Sequence, residues 1–212
     1  MLCAESLNGD LLNISILNTV AIKLNFMQKN FQHCGRKIAI VGTTGSGKTT
    51  LAQQVSQQIH IPHIELDALH WQPNWTAASD QVFRDRISAA LVGECWVVDG
   101  NYSKVRDIIW SQADTVVFLD YPFWLVMGRL LRRTLGRAIN QTELWNGNRE
   151  NIHKSFFNQD SILIWMLKTY QKNRLKYPAL FQKSEYKHLS VIHLKSPKES
   201  ESWLLSLLNS NQ

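Results

Sequence analysis

Short apolar runs rich in β-branched residues recur along the chain, at Lys37 to Val41, Ile61 to Leu66, Cys95 to Val98, Thr115 to Leu119 and Leu189 to Leu194. None alternates strictly with polar residues, which is the pattern of strands covered on both faces in a parallel sheet. The segments between them carry helical spacing. Leu51, Val55 and Ile59 fall four apart, and Val82, Phe83, Ile87, Ala90 and Leu91 follow Ser79 or Asp80, either of which caps a helix. Alternating strand and helix predicts right-handed βαβ crossovers. The expected fold is α/β, a doubly wound five-stranded parallel sheet with its ligand site at the carboxyl ends of the strands.

The rhythm breaks from Tyr121 to His188, where 68 residues separate the fourth strand from the fifth, too many for one crossover. Phe123 to Gly136 reads as an amphipathic helix with a basic face and Ile162 to Tyr170 as part of a very apolar one; Gln141 to Asn151 between them is polar loop. A helical, lid-like insertion over the sheet is therefore expected between strands 4 and 5. Pro197 then opens a terminal helix carrying Trp203, Leu204, Leu207 and Leu208. Residues 1–35 fit none of these elements. The stretch from Leu11 to Leu24 is interrupted by Asn13, Ser15, Asn18, Thr19 and Lys23 and follows Glu5 and Asp10, so it reads as neither membrane anchor nor secretory leader. The organisation expected is an extension over 1–35 and one P-loop domain over 36–212, with Met27 as an alternative start.

Composition narrows the class. At 212 residues, 44% hydrophobic and 19% charged, with ten glycines and five prolines, the chain is globular rather than disordered or fibrous. Cys3, Cys34 and Cys95 are an odd number without metal-like spacing, which argues for a reducing, cytoplasmic setting and against a disulfide framework or zinc site. The net charge of +6 is unevenly placed: residues 121–188 hold twelve Lys and Arg against four acids, leaving the remainder slightly acidic. Such a segment suits a polyanion, either nucleotide phosphates or a nucleic-acid backbone, and charge alone does not choose.

The chemistry is carried by Gly42-Thr43-Thr44-Gly45-Ser46-Gly47-Lys48-Thr49, which fits G-x-x-x-x-G-K-[ST] and is followed by Thr50. Glycines let successive N–H groups converge on one concavity, and the following helix start adds partial positive charge, so phosphate is bound mostly by main chain. Lys48 reaches the outer phosphates of ATP, and the Thr49 hydroxyl takes a magnesium position. Two acids at strand ends complete the set. Asp99 closes Trp96-Val97-Val98 and is the candidate magnesium carboxylate. Asp67 closes Ile64-Glu65-Leu66 and either orients or deprotonates an acceptor hydroxyl or serves as a cap or turn. Asp120, just before Pro122, reads as a turn residue.

Together with Leu66-Asp67-Ala68-Leu69-His70-Trp71, Trp96-Val97-Val98-Asp99-Gly100-Asn101-Tyr102 and the basic helix bearing Arg129, Arg132 and Arg133, this loop resembles the adenylate-kinase-related proteins often labelled DNA topology modulation protein (FlaR-like), in the nucleoside-monophosphate-kinase-like superfamily. The resemblance runs from about Lys37 to the terminal helix. It implies a lid whose arginines cross the transferring phosphate, and Arg129, Arg133 and Arg137, four apart on one helix face, suit that role or form a solvated basic face. One departure stands out. Adenylate kinases carry Asp-Gly-Phe-Pro-Arg where this chain has Asp99-Gly100-Asn101-Tyr102-Ser103, so the arginine that holds an acceptor nucleotide is missing there, with Arg106 as a substitute. Asn101 and Tyr102 either meet the acceptor or cap and pack. Trp71 and Trp75 either stack on a base or anchor their loop. The expected function is transfer of phosphate from MgATP to a small, nucleotide-like acceptor. The alternative is a nucleotide-dependent regulatory protein or ATPase whose basic insertion touches DNA or RNA.

Overall fold

The computed structural model describes residues 36–149 and 162–209. Expectations for the 1–35 extension, with Cys3 and Cys34, and for 150–161 in the insertion lie outside the described residues.

Seven strands are present among the described residues: β1 (Lys37–Gly42), β2 (His63–Glu65), β3 (Trp71–Gln72), β4 (Thr76–Ala77), β5 (Trp96–Asp99), β6 (Thr115–Leu119) and β7 (Ser190–Leu194). Five of them form one sheet in the order β2-β5-β1-β6-β7, with every pairing parallel. The lack of alternation in the strand sequences now has its cause. Ala39, Val41, Val98, Val116 and Phe118 share one core with Phe83, Ile87, Ile109, Trp110 and Tyr177. By the period-two pleat, Ile38, Ile40, Val97 and Val117 fall on the opposite face, where α1 (Lys48–Ile59) buries Leu51, Ala52 and Val55.

The helices follow the predicted spacing. Helix α1 stops where His60 turns left-handed at φ 56°. α3 (Asp80–Ala90) is capped by Ser79, whose side chain accepts from the Val82 N–H. α4 (Arg106–Gln112) leads into β6. The insertion is built on α5 (Phe123–Ile139), three residues longer than expected, and α6 (Ile162–Phe181), and the chain continues through β7 to α7 (Pro197–Asn209), which packs on α1.

Three expectations are corrected. β2 ends at Glu65, and Asp67, expected to close it, stands in the first turn of the five-residue helix α2 (Leu66–His70). The edge strand has only β5 to pair with, so it yields early to a helical turn. The hairpin β3–β4, absent from the sequence analysis, turns through Asn74 and Trp75, both at positive φ; a bulky Trp at φ 55° carries no local sequence signal for a turn. Cys95 is buried and disulfide-bonded, against the expectation of no disulfide, because an odd cysteine count and spacing along the chain do not decide whether one pair forms. Among the described residues no helix is long and apolar enough to cross a membrane.

Candidate phosphate and acceptor site

The Gly42–Thr49 loop joins β1 to α1 at the carboxyl end of the central strand. Its glycines are required by contact as well as by conformation. A Cβ on Gly42 (φ 151°) would stand 2.7 Å from the Leu119 carbonyl oxygen, and one on Gly45 (φ 83°) would stand 2.9 Å from both the Val126 oxygen and Leu130 Cβ. α5 therefore lies directly on the loop. The Ser46 hydroxyl at its centre is fully buried without a hydrogen-bond partner, and Lys48 Nζ folds back to donate to the Thr43 carbonyl at 3.2 Å. A concavity of main chain with an orphaned hydroxyl and a lysine resting on its own loop fits an anion such as phosphate.

Behind the loop, Asp99 is 4% exposed at the end of β5, and each of its oxygens has one partner. Oδ2 accepts from the Thr49 hydroxyl at 2.7 Å, and Oδ1 meets His63 Nε2 at 2.8 Å. A hydroxyl and a carboxylate in contact form a hard oxygen donor pair suited to magnesium. Burial lowers the pKa of Lys48, Asp99 and Asp67 pull it back up, and Arg133 lowers it further. Three sequence-predicted charges thus act on one ammonium.

The acceptor-side candidates form a second group. Tyr102 donates its hydroxyl to Asp67 Oδ1, and burial beside that carboxylate pushes the phenol pKa well above its usual value. Tyr102 packs on His70 and Phe83 with ring centroids 4.6 and 5.0 Å away. Asn101 is committed elsewhere. Its amide donates to the Gly42 carbonyl at 2.5 Å, while its oxygen accepts from the Gly42 N–H at 3.2 Å and the Tyr177 hydroxyl at 2.9 Å, tying β5, the loop and α6 together. Trp71 makes edge contacts with His70 at 4.9 Å and Trp75 at 5.6 Å. Arg106 lies over the Trp110 ring at 5.5 Å. Thr43 is buried, with the Asn173 amide 3.5 Å from its hydroxyl, Thr44 is half-buried in the loop, and Thr50 is exposed on α1.

On α5, Arg129 donates to the Ser46 carbonyl at 3.2 Å and lies over the Tyr121 ring at 5.3 Å, so it faces the loop. Arg133, one turn on, is the arginine that acts on Lys48, and Arg137 is half-buried a turn beyond it. The chain after α5 then reaches the β3–β4 hairpin. Asn148 is 4% exposed; it accepts from the Trp75 N–H at 2.7 Å and donates to the Gln72 and Trp145 carbonyls at 2.9 and 2.8 Å. Asn146 donates to the Trp71 carbonyl at 2.5 Å. Burial raises the pKa of Glu65, and the neighbouring Trp145 side chain opposes that rise.

Sequence reasoning missed His63, Glu65, Asn148, Asn173 and Tyr177. For the first two a signal existed. His63 and Glu65 alternate on β2, so both share the face of Asp99, but extending the strand to Asp67 drew attention to its end. Asp120, expected in a turn, instead pairs with Arg174 at 2.8 Å and His193 at 3.1 Å. No signal marked these partners, which lie far along the chain.

A family model described as ATPase family associated with various cellular activities (AAA) matches residues 38–120, less than half of the chain. No curated protein matches significantly. Among solved structures, a gluconokinase from Sinorhizobium meliloti 1021 is similar at TM-score 0.46 and 18% identity, over 85% of this chain and 97% of that one. A shikimate kinase from Bacteroides thetaiotaomicron is similar at TM-score 0.47 and 14% identity, over 83% and 98%. A shikimate kinase from Acinetobacter baumannii in complex with shikimate is similar at TM-score 0.48 and 16% identity, over 87% and 98%.

Proposed function

We propose that the chain is an ATP-dependent phosphotransferase that passes the γ-phosphoryl of MgATP to a small acceptor, most consistent with a nucleotide-like metabolite. One observation supports this above the rest: behind the glycine-rich loop the Thr49 hydroxyl meets the Asp99 carboxylate at 2.7 Å, while Arg129 of α5 reaches the loop's Ser46 carbonyl at 3.2 Å. The resemblance to adenylate-kinase-related proteins of the DNA topology modulation (FlaR-like) type points the same way. In this reading residues 36–212 form the kinase-like domain, with the α5–α6 segment as its lid.

Bound MgATP supplies the transferable phosphoryl group and the charge that balances it. Loop N–H groups between Thr43 and Thr49 would hold the phosphates, apart from that of Ser46, which donates to the Thr43 carbonyl at 3.0 Å. Lys48, which donates to the Thr43 carbonyl, would hold a phosphate oxygen and so give a desolvated ammonium an anionic partner. Thr49 and Asp99 supply the magnesium position. Asp67, held by Tyr102, accepts the proton of the acceptor hydroxyl. Arg129, Arg133 and Arg137 counter charge building on the phosphoryl oxygens. Asn101 positions Gly42 through its two hydrogen bonds.

Arg129 is exposed, but its hydrogen bond to the Ser46 carbonyl ties it to the phosphate loop, and that contact supports a lid role over a nucleic-acid stripe. ADP release from MgATP, followed across nucleoside monophosphates, nucleosides and hydroxylated metabolites, tests the proposal. We expect at least one acceptor to raise turnover well above the acceptor-free rate. No stimulation by any of them, with salt-sensitive DNA binding instead, would overturn it.

A further inference from the structure

An aspartate carboxylate is nearly free to rotate about its last torsion, so strand geometry alone does not decide which oxygen faces the loop threonine. In this molecule something else does. β2 pairs with β5 in a register that sets His63 opposite Val97 and Glu65 opposite Asp99. The pleat puts His63 and Asp99 on the same face, one diagonal step apart, and a long side chain spans that step. The imidazole closes it at 2.8 Å, with the His63 side chain 15% exposed and Asp99 4% exposed. An ionised carboxylate only accepts, so Nε2 carries the proton in this bond. With Oδ1 held from the edge strand, Oδ2 is left toward Thr49 at 2.7 Å. Thr49 thereby donates its proton backward to Asp99, and its lone pairs are left for a cation in front.

We propose that His63 is a positioning residue for the magnesium position: it locks the Asp99 carboxylate so that Thr49 is presented as a metal ligand. This rests on the reading of the loop as an MgATP site, and it adds a residue that the phosphate-loop motif does not contain. Partners of this kind, one bond removed from a ligand, typically change metal affinity by about 10- to 100-fold when lost. The His63 side chain bonds Asp99 and no group of the phosphate loop, so its removal should leave main-chain phosphate binding in place.

The test uses the full chain and ADP as the probe. Affinity is measured by calorimetry in chelator and in excess magnesium for wild type, His63→Ala and His63→Gln, since glutamine offers an amide N–H at similar reach. We expect His63→Ala to keep metal-free ADP affinity within about twofold and to lose about tenfold of the gain that magnesium gives. His63→Gln should recover most of it. A structural role predicts another pattern, an equal loss with and without metal and no recovery by glutamine, and that result would overturn the inference, as would unchanged magnesium dependence in His63→Ala. A wild type without any magnesium effect on ADP overturns it too. If wild type binds MgADP but phosphorylates no acceptor, the transferase reading fails while the role of His63 stands on the binding data.

Discussion

Lys48 shows how a desolvated charge opposes the fold. Burial lowers its pKa, so the ammonium costs stability while protonated, and that cost is relieved as pH rises through its lowered folded-state value. Replacing Lys48 by Ala should therefore abolish tight MgATP binding and cut turnover by about 100-fold or more, without lowering the melting temperature. Native-like affinity in the folded variant would remove the loop assignment. Asp99 is read differently. Asp99→Asn keeps the shape and the main-chain phosphate cradle but loses the charge, so turnover should fall most at limiting magnesium while nucleotide affinity in chelator stays near wild type. A magnesium titration at fixed ATP checks this; identical curves would take Asp99 out of the site.

At the scale of elements, two contacts couple parts that chain order keeps apart. The first is α5 on the phosphate loop, where Gly45 leaves no room for a side chain. The second is the segment after α5 on the β3–β4 hairpin, through Asn148. There Trp75 sits at φ 55°, a conformation of about 1–3 kcal/mol that persists only where its surroundings hold it. Asn148→Ala removes three hydrogen bonds at a buried position and leaves the Trp75 N–H and the Gln72 carbonyl short of a partner. The loss should be about 2 kcal/mol, or roughly 4–8 °C in melting temperature for a domain of this size. Thermal unfolding measures it, and acceptor-stimulated turnover should fall with it because Asp67 lies just before the hairpin. A melting temperature within 1 °C (roughly the sub-kcal/mol effect of an exposed site) would show that the two segments do not hold each other.

For the whole molecule, the basic insertion separates the two classes of function. Arginines that act on a transferring phosphoryl stabilise charge present mainly in the transition state, so Arg129→Ala, Arg133→Ala and Arg137→Ala should each lower kcat with ATP affinity little changed. Backbone contacts to DNA would instead give binding that falls steeply with salt, with a slope reduced by about one unit for each arginine lost and no catalytic effect. Parallel kinetics and salt-dependent DNA titrations distinguish them. The packing of Arg129 on Ser46 and Tyr121 leads us to expect the kinetic outcome.

The sequence by itself determined the strand–helix alternation, the five-stranded parallel sheet, the phosphate loop and the Asp99 strand end, because each is written in local spacing: period 3.6, apolar runs, and glycines where backbone must approach backbone. It also placed α5 and its arginines. Only the tertiary structure decided which groups meet. Sheet order brings β2 beside β5 and so His63 to Asp99, a juxtaposition of residues 36 apart that no periodicity encodes. The short α2 displaced Asp67 from a strand end and handed it to Tyr102, since an edge strand with one neighbour gives way readily to a helical turn. Asn148 read as polar loop and Asn101 as an acceptor contact or cap until folding gave their amides specific main-chain partners. A side-chain amide bonds whichever peptide groups the fold brings within about 3 Å, and chain order does not state which those are.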